Sequence, residues 1–277
     1  MIDYPVSARL PIGVFDSGVG GLTAVRAIQN LMPSESVVFL GDTARVPYGS
    51  RSPETIHQYA RQNMDFLLKF HVKAALAACG TVSSIALSDL QNEGIPVCGV
   101  LQPAVDRAAQ LTRNRKVGVI ATAASIGSGS FQQALSLCGC SSFTAACPNY
   151  VLMAERGQVR PEDSVVQAVT AEYLSEIREA GVDCLILGCT HFPLFIEAIS
   201  AFMGEGVHII NSSYEAAAAL ARRIRKDGCL AKHGVGALQC WVTGDPAPFA
   251  PLARRFLGAD EAVPIYHTDH VEERETI

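Results

Sequence analysis

Short apolar runs of strand length alternate with longer helical stretches along the whole chain, and this alternation most restricts the possible folds. The runs are continuous rather than interleaved with polar residues, so the strands are expected to be covered on both faces. Such strands are typical of parallel sheets in an α/β protein. The predicted strands are 12–16, 36–41, 74–78, 96–100, 117–121, 143–146, 184–188, 207–211 and 239–243.

Three of the intervening stretches carry clear helix signals. Residues 53–70 begin with Pro53, which suits the first turn of a helix. Residues 161–180 stop before Gly181, a residue type common just after a helix ends. Residues 213–226 end in basic side chains, which interact favourably with the negative end of the helix dipole.

Two segments in different halves of the chain have the same form. The segment AALAACGT at 74–81 and the segment LILGCTHFP at 185–193 each place a cysteine and a nearby threonine after an apolar run. A helical stretch follows each of them. We therefore expect two similar α/β lobes that face each other.

The lobe boundaries follow from where the chain can cross between the two halves. Crossings are predicted near 101–106 and near 204–208, where no long linker is present. Lobe one, which contains Cys79, is expected to comprise 1–104 plus 209–277, and lobe two, which contains Cys189, is expected to comprise 105–208.

Composition excludes several classes of protein. A net charge of −5 without long basic blocks argues against nucleic acid as a partner. No stretch is long and apolar enough for a membrane span, and no secretory leader is recognised, which predicts a cytoplasmic protein without a membrane partner. The nine cysteines are too few for a disulfide scaffold in 277 residues and predict free thiols.

Polar residues, and Gly49 next to one of them, lie at or after the ends of several predicted strands. Ligands of open α/β sheets bind at the carboxyl ends of strands, so these residues are candidates for a site. They are Asp16, Ser17, Asp42, Thr43, Tyr48, Gly49, Cys79, Thr81, Thr122, Ser125, Cys189, Thr190 and His191.

The loop from Asp16 to Gly21 has two interpretations. Its glycines could present backbone N–H groups to a carboxylate or a single phosphate at the start of a helix. Alternatively, the loop is a tight turn between strand and helix. It lacks both the G-x-G-x-x-G pattern and the lysine of a P-loop, so a nucleotide site is disfavoured.

Three interpretations of Cys79 and Cys189 stay open on the residues alone. Both could be small buried side chains, as free cysteines often are. Cys189 and His191 could bind a metal, although C-x-H is a weak ligand pattern. Both thiols could perform acid–base chemistry, with Asp16 and His191 best placed to tune them.

Five longer motifs are distributed along the chain: IGVFDSGVGGLTAVRAI, GDTARVPYGSRS, CPNYVLMAERG, LILGCTHFPL and WVTGDPAPF. Together they resemble the motifs of the glutamate racemases, members of the cofactor-independent aspartate/glutamate racemase superfamily. The similarity extends over nearly the whole chain, and the motifs occur in the family's order.

The resemblance implies two α/β lobes with the active site in the cleft between them. It also implies interconversion of L- and D-glutamate without a metal, nucleotide or pyridoxal phosphate, to supply D-glutamate for peptidoglycan. Glutamate is then the small-molecule partner. A homodimer is a further expectation. Cys79 and Cys189 would exchange protons on opposite faces of the substrate α-carbon. Asp16 would assist Cys79, and His191 with Glu155 would assist Cys189.

The resemblance also implies a set of substrate contacts. These are assigned to Asp16, Ser17, Tyr48, Gly49, Gly80, Thr81, Thr122, Ser125, Thr190 and His191. Gly80 departs from the family, which commonly has asparagine at this position. We expect this change to remove an amide donor or to leave space for water.

Three rival functions follow from the same motifs. Racemisation of aspartate or another amino acid by a member of the same superfamily is the nearest rival. An aspartate-nucleophile phosphohydrolase would use Asp16, although Gly18 stands where that class usually has a second aspartate. A non-catalytic homologue is the third rival, and Gly80 is the feature in its favour.

Overall fold

Two parallel sheets flanked by helices form the protein. The computed structural model describes residues 8–258 and 263–269. Sheet one has the strand order β10-β9-β2-β1-β3-β4, and sheet two has the order β6-β5-β7-β8. The strands are β1 Ile12–Asp16, β2 Val37–Gly41, β3 Ala74–Ala77, β4 Val97–Gly99, β5 Lys116–Ala121, β6 Ser141–Ala146, β7 Cys184–Leu187, β8 His208–Asn211, β9 Leu238–Val242 and β10 Ile265–His267.

Helices cover both sheets. Most begin directly after a strand, as the alternating pattern predicts. They are α1 Leu22–Leu31, α2 Pro53–Leu68, α3 Gly80–Ile85, α4 Leu101–Leu111, α5 Ala123–Gly127, α6 Ser130–Leu137, α7 Pro148–Arg156, α8 Ser164–Glu179, α9 Ile196–Met203, α10 Ser212–Lys226 and α11 Pro246–Leu257.

The predicted α/β class and parallel pairing are confirmed. β1 pairs in parallel with β2 and β3, and β5 pairs in parallel with β6 and β7. Every residue of β1, β2, β3 and β7 is buried, which explains why these strands are continuous apolar runs.

The three predicted helices agree with the observed α2, α8 and α10 to within three residues at either end. α8 begins at Ser164 rather than at 161, because the Asp163 side chain accepts a hydrogen bond from the Val165 N–H and forms the cap. It ends where predicted, with Gly181 at a positive φ of 70°. Strand β10 was not predicted, because it has only three residues and is mostly exposed.

The return connection between the sheets lies later than predicted. The chain leaves sheet one through α4, close to the predicted crossing. Residues 204–207, however, precede β8, which begins at His208 and still pairs with β7 in sheet two. Gly204 and Gly206, at φ values of 85° and 98°, form the turn between α9 and β8. The return therefore passes through α10, and the predicted boundary at 208/209 falls inside a strand.

The crossing helices hold the two sheets together. α10 packs against α1, which follows the first strand of sheet one, and against α4. One continuous cluster of buried apolar side chains includes Val14 and Phe39 of sheet one and Leu185 and Leu187 of sheet two. The ends of the central strands are therefore held close to one another, where the candidate site lies.

Among the described residues, no helix is long and apolar enough to cross a membrane. All nine cysteines fall within the described ranges, and all are free thiols.

Candidate active site

The two similar segments of the sequence lie face to face. β1 and β3 are neighbours in sheet one, so Asp16, the last residue of β1, and Cys79, which follows β3, are close together. β7 is central in sheet two and carries Cys189 at the same end. The two thiols are near enough to interact electrostatically. The structure thus brings together cysteines from distant parts of the chain.

Cys79 lies immediately before α3 and is 5% exposed. Its thiol donates to Ser17 Oγ at 3.7 Å. Burial, reinforced by the negative charge of Asp16, raises the pKa of Cys79 to about 12. Before substrate binds, Cys79 is therefore the protonated partner at neutral pH.

Asp16 is held by the turn that follows it. Its Oδ2 accepts hydrogen bonds from the Gly21 N–H at 2.8 Å and the Gly18 N–H at 3.3 Å. Its Oδ1 is buried and has no hydrogen-bond partner among the residues that the structure describes. Burial raises the pKa of Asp16, and the nearby His191 opposes this shift. The loop is therefore a tight strand-to-helix turn, and these two glycine amides bind Asp16 rather than pointing to an external anion.

Cys189 is part of a chain of three polar groups. His191 Nδ1 lies 3.8 Å from Cys189 Sγ, and His191 Nε2 lies 3.1 Å from Glu155 Oε1. Burial lowers the pKa of His191, but the contacts with Cys189 and Glu155 and the charge of Asp16 outweigh burial and raise it to about 10. An imidazolium therefore stands beside Cys189 at neutral pH and can stabilise negative charge on the sulfur.

Three hydroxyl groups connect the ends of β3 and β5. Thr81 Oγ1 lies 3.1 Å from Thr122 Oγ1, which in turn lies 2.9 Å from Ser125 Oγ. Thr122 also caps α5 by accepting from the Ser125 N–H. Gly49 lies against Thr122, since a Cβ on Gly49 would be 3.1 Å from Thr122 Cβ. These predicted substrate contacts are therefore assembled in one place.

The Tyr48 hydroxyl forms hydrogen bonds with Asp42 and Asn63 rather than with the two thiols. It donates to Asp42 Oδ2 and accepts from Asn63 Nδ2 at 3.1 Å. Arg45 Nε also donates to Asp42 Oδ2, at 2.7 Å, and Thr243 Oγ1 donates to Asp42 Oδ1, at 2.8 Å. Asp42 thus anchors the segment that carries Tyr48 and Gly49, a role that its place after β2 did not reveal.

Thr190 is fixed by residues that the sequence did not single out. The Thr23 hydroxyl donates to Thr190 O at 3.1 Å and lies 3.0 Å from Ser213 Oγ. Thr23 is in the first turn of α1, and Ser213 is in the first turn of α10. The only sequence signal was that both residues are hydroxyls at helix starts.

The surroundings of Gly80 differ from one of the two expectations for this position. A Cβ on Gly80 would overlap the carbonyl oxygen of Gly188, and a Cβ on Gly20 would overlap Thr190 Oγ1. The loops of the two sheets therefore touch through their backbones. The expectation that Gly80 leaves room for water is wrong in this structure, because the Gly188 carbonyl occupies that space.

A metal-binding interpretation of Cys189 and His191 would need further ligands. Within residues 8–258 and 263–269, no group of three or more His, Cys, Asp and Glu side chains is placed to hold a metal ion.

Comparison with known proteins agrees with this geometry. The model of the Asp/Glu/Hydantoin racemase family matches residues 22–224. A glutamate racemase from Beutenbergia cavernae is 42% identical over 265 residues, which cover 90% of each chain.

Solved structures show the same similarity. A glutamate racemase isoform from Bacillus anthracis is 35% identical with a TM-score of 0.88, and the match covers 94% of this chain and 97% of that one. A glutamate racemase from Francisella tularensis, solved in complex with D-glutamate, is 33% identical with a TM-score of 0.85 and the same coverage. The chain therefore belongs to the Asp/Glu/hydantoin racemase family of isomerases, within its glutamate racemase group.

Proposed function

We propose that this protein interconverts L- and D-glutamate without a cofactor, with Cys79 and Cys189 as the two acid–base groups. The observation that carries the proposal is the pair of buried thiols at the ends of β3 and β7. Each thiol has its own polar partners: Ser17 and Asp16 for Cys79, and His191 and Glu155 for Cys189.

In the proposed reaction, the substrate α-carbon lies between the two sulfurs. A thiolate at Cys189, balanced by the His191 imidazolium, takes the α-proton from one face, and a carbanion forms. The Cys79 thiol then delivers its proton to the opposite face, which inverts the centre. The reverse direction uses the same groups with their protonation states exchanged, so the two thiols together serve both directions.

The carbanion needs stabilisation from fixed dipoles and charges. The hydroxyls of Thr81, Thr122 and Ser125 are preorganised by their mutual hydrogen bonds and can hold the charged groups of the substrate. The close approach of the two loops at Gly80 and Gly188 excludes water, which strengthens these interactions. Together with Ser17, Gly49 and Thr190, these groups form the proposed substrate contacts.

The wider role belongs to the same proposal. A relative from Francisella tularensis was solved with D-glutamate, which supports glutamate as the small-molecule partner. A cytoplasmic location, the supply of D-glutamate for peptidoglycan and the division into two lobes accompany this function as inferences. A homodimer stays a prediction. The family assignment argues against the phosphohydrolase interpretation.

Purified protein incubated with either enantiomer of glutamate in D₂O tests the function. We expect the optical rotation to decay to zero from either starting enantiomer, with deuterium incorporated at the α-carbon. A chelator should not change the rate. Aspartate, assayed in parallel, should react far more slowly. Turnover of aspartate alone would establish the rival racemase, and no exchange with any amino acid would favour the non-catalytic homologue.

Glu155→Gln is expected to make racemisation more sensitive to high pH. Glu155 helps to raise the pKa of His191, so its loss lowers that pKa and the imidazolium loses its proton at lower pH. Activity that requires the imidazolium therefore declines earlier on the alkaline side. Because the Glu155 side chain is 42% exposed, we expect its loss to cost the imidazolium only about 1 kcal/mol, which moves the alkaline limb of the profile to lower pH by roughly 0.7.

The pH dependence of kcat/KM measures this effect. Glu162→Gln removes the same charge from an exposed position outside the site and should leave the profile unchanged. An unchanged alkaline limb in Glu155→Gln would show that Glu155 does not support the protonated His191.

A further inference from the structure

Helix α11 connects sheet one to the His191–Glu155 pair. It follows β9 of sheet one in the chain and packs along α1. Its last turn, however, contacts α7, the helix that carries Glu155, and it also contacts His191. Two consecutive residues, Arg255 and Phe256, make these contacts.

Arg255 binds the end of α7. Its Nη1 donates to Glu155 O at 3.1 Å and to Ala154 O at 3.3 Å. Carbonyl groups in the last turn of a helix lack partners within the helix and carry partial negative charge, so a guanidinium is well suited to them. The contact fixes the backbone of Glu155 itself.

Gly157 makes room for this guanidinium. It ends α7 with a positive φ of 79°. A Cβ at this position would lie 2.7 Å from Arg255 Nη2 and 2.8 Å from Arg255 Cζ. The absence of a side chain at Gly157 therefore lets Arg255 lie directly over the helix end.

Phe256 covers the imidazole of His191. Its ring is fully buried, with its centroid 5.2 Å from that of the imidazole and an angle of 81° between the planes. This contact limits the positions that the imidazole can adopt and keeps water away from it. His191 is only 5% exposed.

We infer that Arg255 and Phe256 are positioning residues for proton transfer at Cys189. In the last turn of α11, Arg255 binds the backbone carbonyl of Glu155, and Phe256 packs against the ring of His191. These contacts fix the positions of Glu155 and His191 relative to Cys189 Sγ. Cys79 has different neighbours, Ser17 and Asp16. This inference rests on the proposed racemisation. Proton transfer at Cys189 should then depend on α11, whereas proton transfer at Cys79 should not.

The proposal predicts an effect that differs between the two directions of racemisation. The two enantiomers of glutamate are equally stable, so any variant must lower kcat/KM equally in both directions. The kinetic isotope effect, in contrast, can differ between the two directions. With α-deuterated substrate, slower transfer at Cys189 raises the isotope effect for the enantiomer that Cys189 deprotonates and lowers it for the other.

Arg255→Met is expected to reduce kcat about tenfold, since small displacements of catalytic groups have effects of this order or larger. The isotope effect should rise for one enantiomer only, the same one as in Glu155→Gln. KM should change less than twofold. Arg255→Lys, which keeps one donor, should recover part of the rate. Arg254→Met, a loss of the same charge at an exposed position on the same helix, is the control and should leave both isotope effects unchanged.

Two further variants complete the experiment. The double variant Arg255→Met with Glu155→Gln should be no slower than the slower single variant, because both substitutions affect the same pair. Phe256→Leu should show the same directional isotope effect, with circular dichroism confirming that it is folded.

Equal changes of the isotope effect for both enantiomers, or wild-type kinetics in Arg255→Met, would overturn the inference while leaving the racemase assignment intact. A wild-type protein that exchanges no α-proton of glutamate would instead overturn the proposed function, and the inference with it.

Discussion

Cys79→Ser and Cys189→Ser are each expected to lower racemisation of glutamate by roughly 10²–10⁴-fold, the usual range for loss of a general acid or base. A serine hydroxyl has nearly the shape of a thiol but is far less acidic, so it neither takes nor delivers the α-proton at a useful rate. Each variant retains one intact thiol. We therefore expect each variant to exchange the α-proton of one enantiomer with D₂O without inverting it, and the two variants to differ in which enantiomer they exchange.

Polarimetry and NMR of the α-proton measure inversion and exchange separately. Cys98→Ser is the matched control, because Cys98 lies within β4 and its thiol contacts the carbonyl groups of Gly99 and Ala216. It should racemise glutamate at nearly the wild-type rate. If either Cys79→Ser or Cys189→Ser kept wild-type turnover, the two-thiol mechanism would be wrong. Exchange of the same enantiomer by both variants would show that the thiols do not act on opposite faces.

Gly80→Ala is expected to reduce kcat/KM by about 10²-fold. The added Cβ would overlap the carbonyl oxygen of Gly188, and a backbone group cannot move aside as a flexible side chain can. The loops that carry Cys79 and Cys189 must then separate, which lengthens both proton transfers and admits water. Gly80→Asn, which introduces the residue common in the family, should be impaired for the same reason.

Gly127→Ala controls for the loss of a glycine. Gly127 is the last residue of α5, and a Cβ there would meet no atom within 4 Å. This variant should retain wild-type kinetics. Full activity of Gly80→Ala would show that the two loops are farther apart in the working enzyme. Increased activity of Gly80→Asn would show that the amide donor matters more than the close approach.

The fold class was accessible from the sequence because it depends on local patterns. Continuous apolar runs such as 12–16 and 184–188 favour strands covered on both faces, and the structure shows parallel sheets. The prolines and glycines at helix ends act within one turn, so the ends of the helices were predicted to within a few residues. The short, mostly exposed strand β10 lacks an apolar pattern and was missed.

The candidate site was accessible for a related reason. Parallel strands end at the same edge of a sheet, so polar residues after β1 and β3 had to lie together. The resemblance of the motifs to glutamate racemases then supplied the pairing of Cys79 with Cys189. The segment LILGCTHFP thus carried the strand, the thiol and the imidazole together.

Tertiary structure decided everything that depends on contacts between distant parts of the chain. No local pattern connects the residues that meet in three of these contacts: the close approach of Gly80 to the Gly188 carbonyl, the hydrogen bond between Thr23 and Thr190, and the hydrogen bond from Arg255 to the Glu155 carbonyl. The return through α10 was likewise set by the pairing of β8 with β7. Local sequence determined which strands and helices form and which chemical groups lie at their ends. Packing determined the distances between those groups, because the close approach of two loops depends on the whole arrangement of the two sheets.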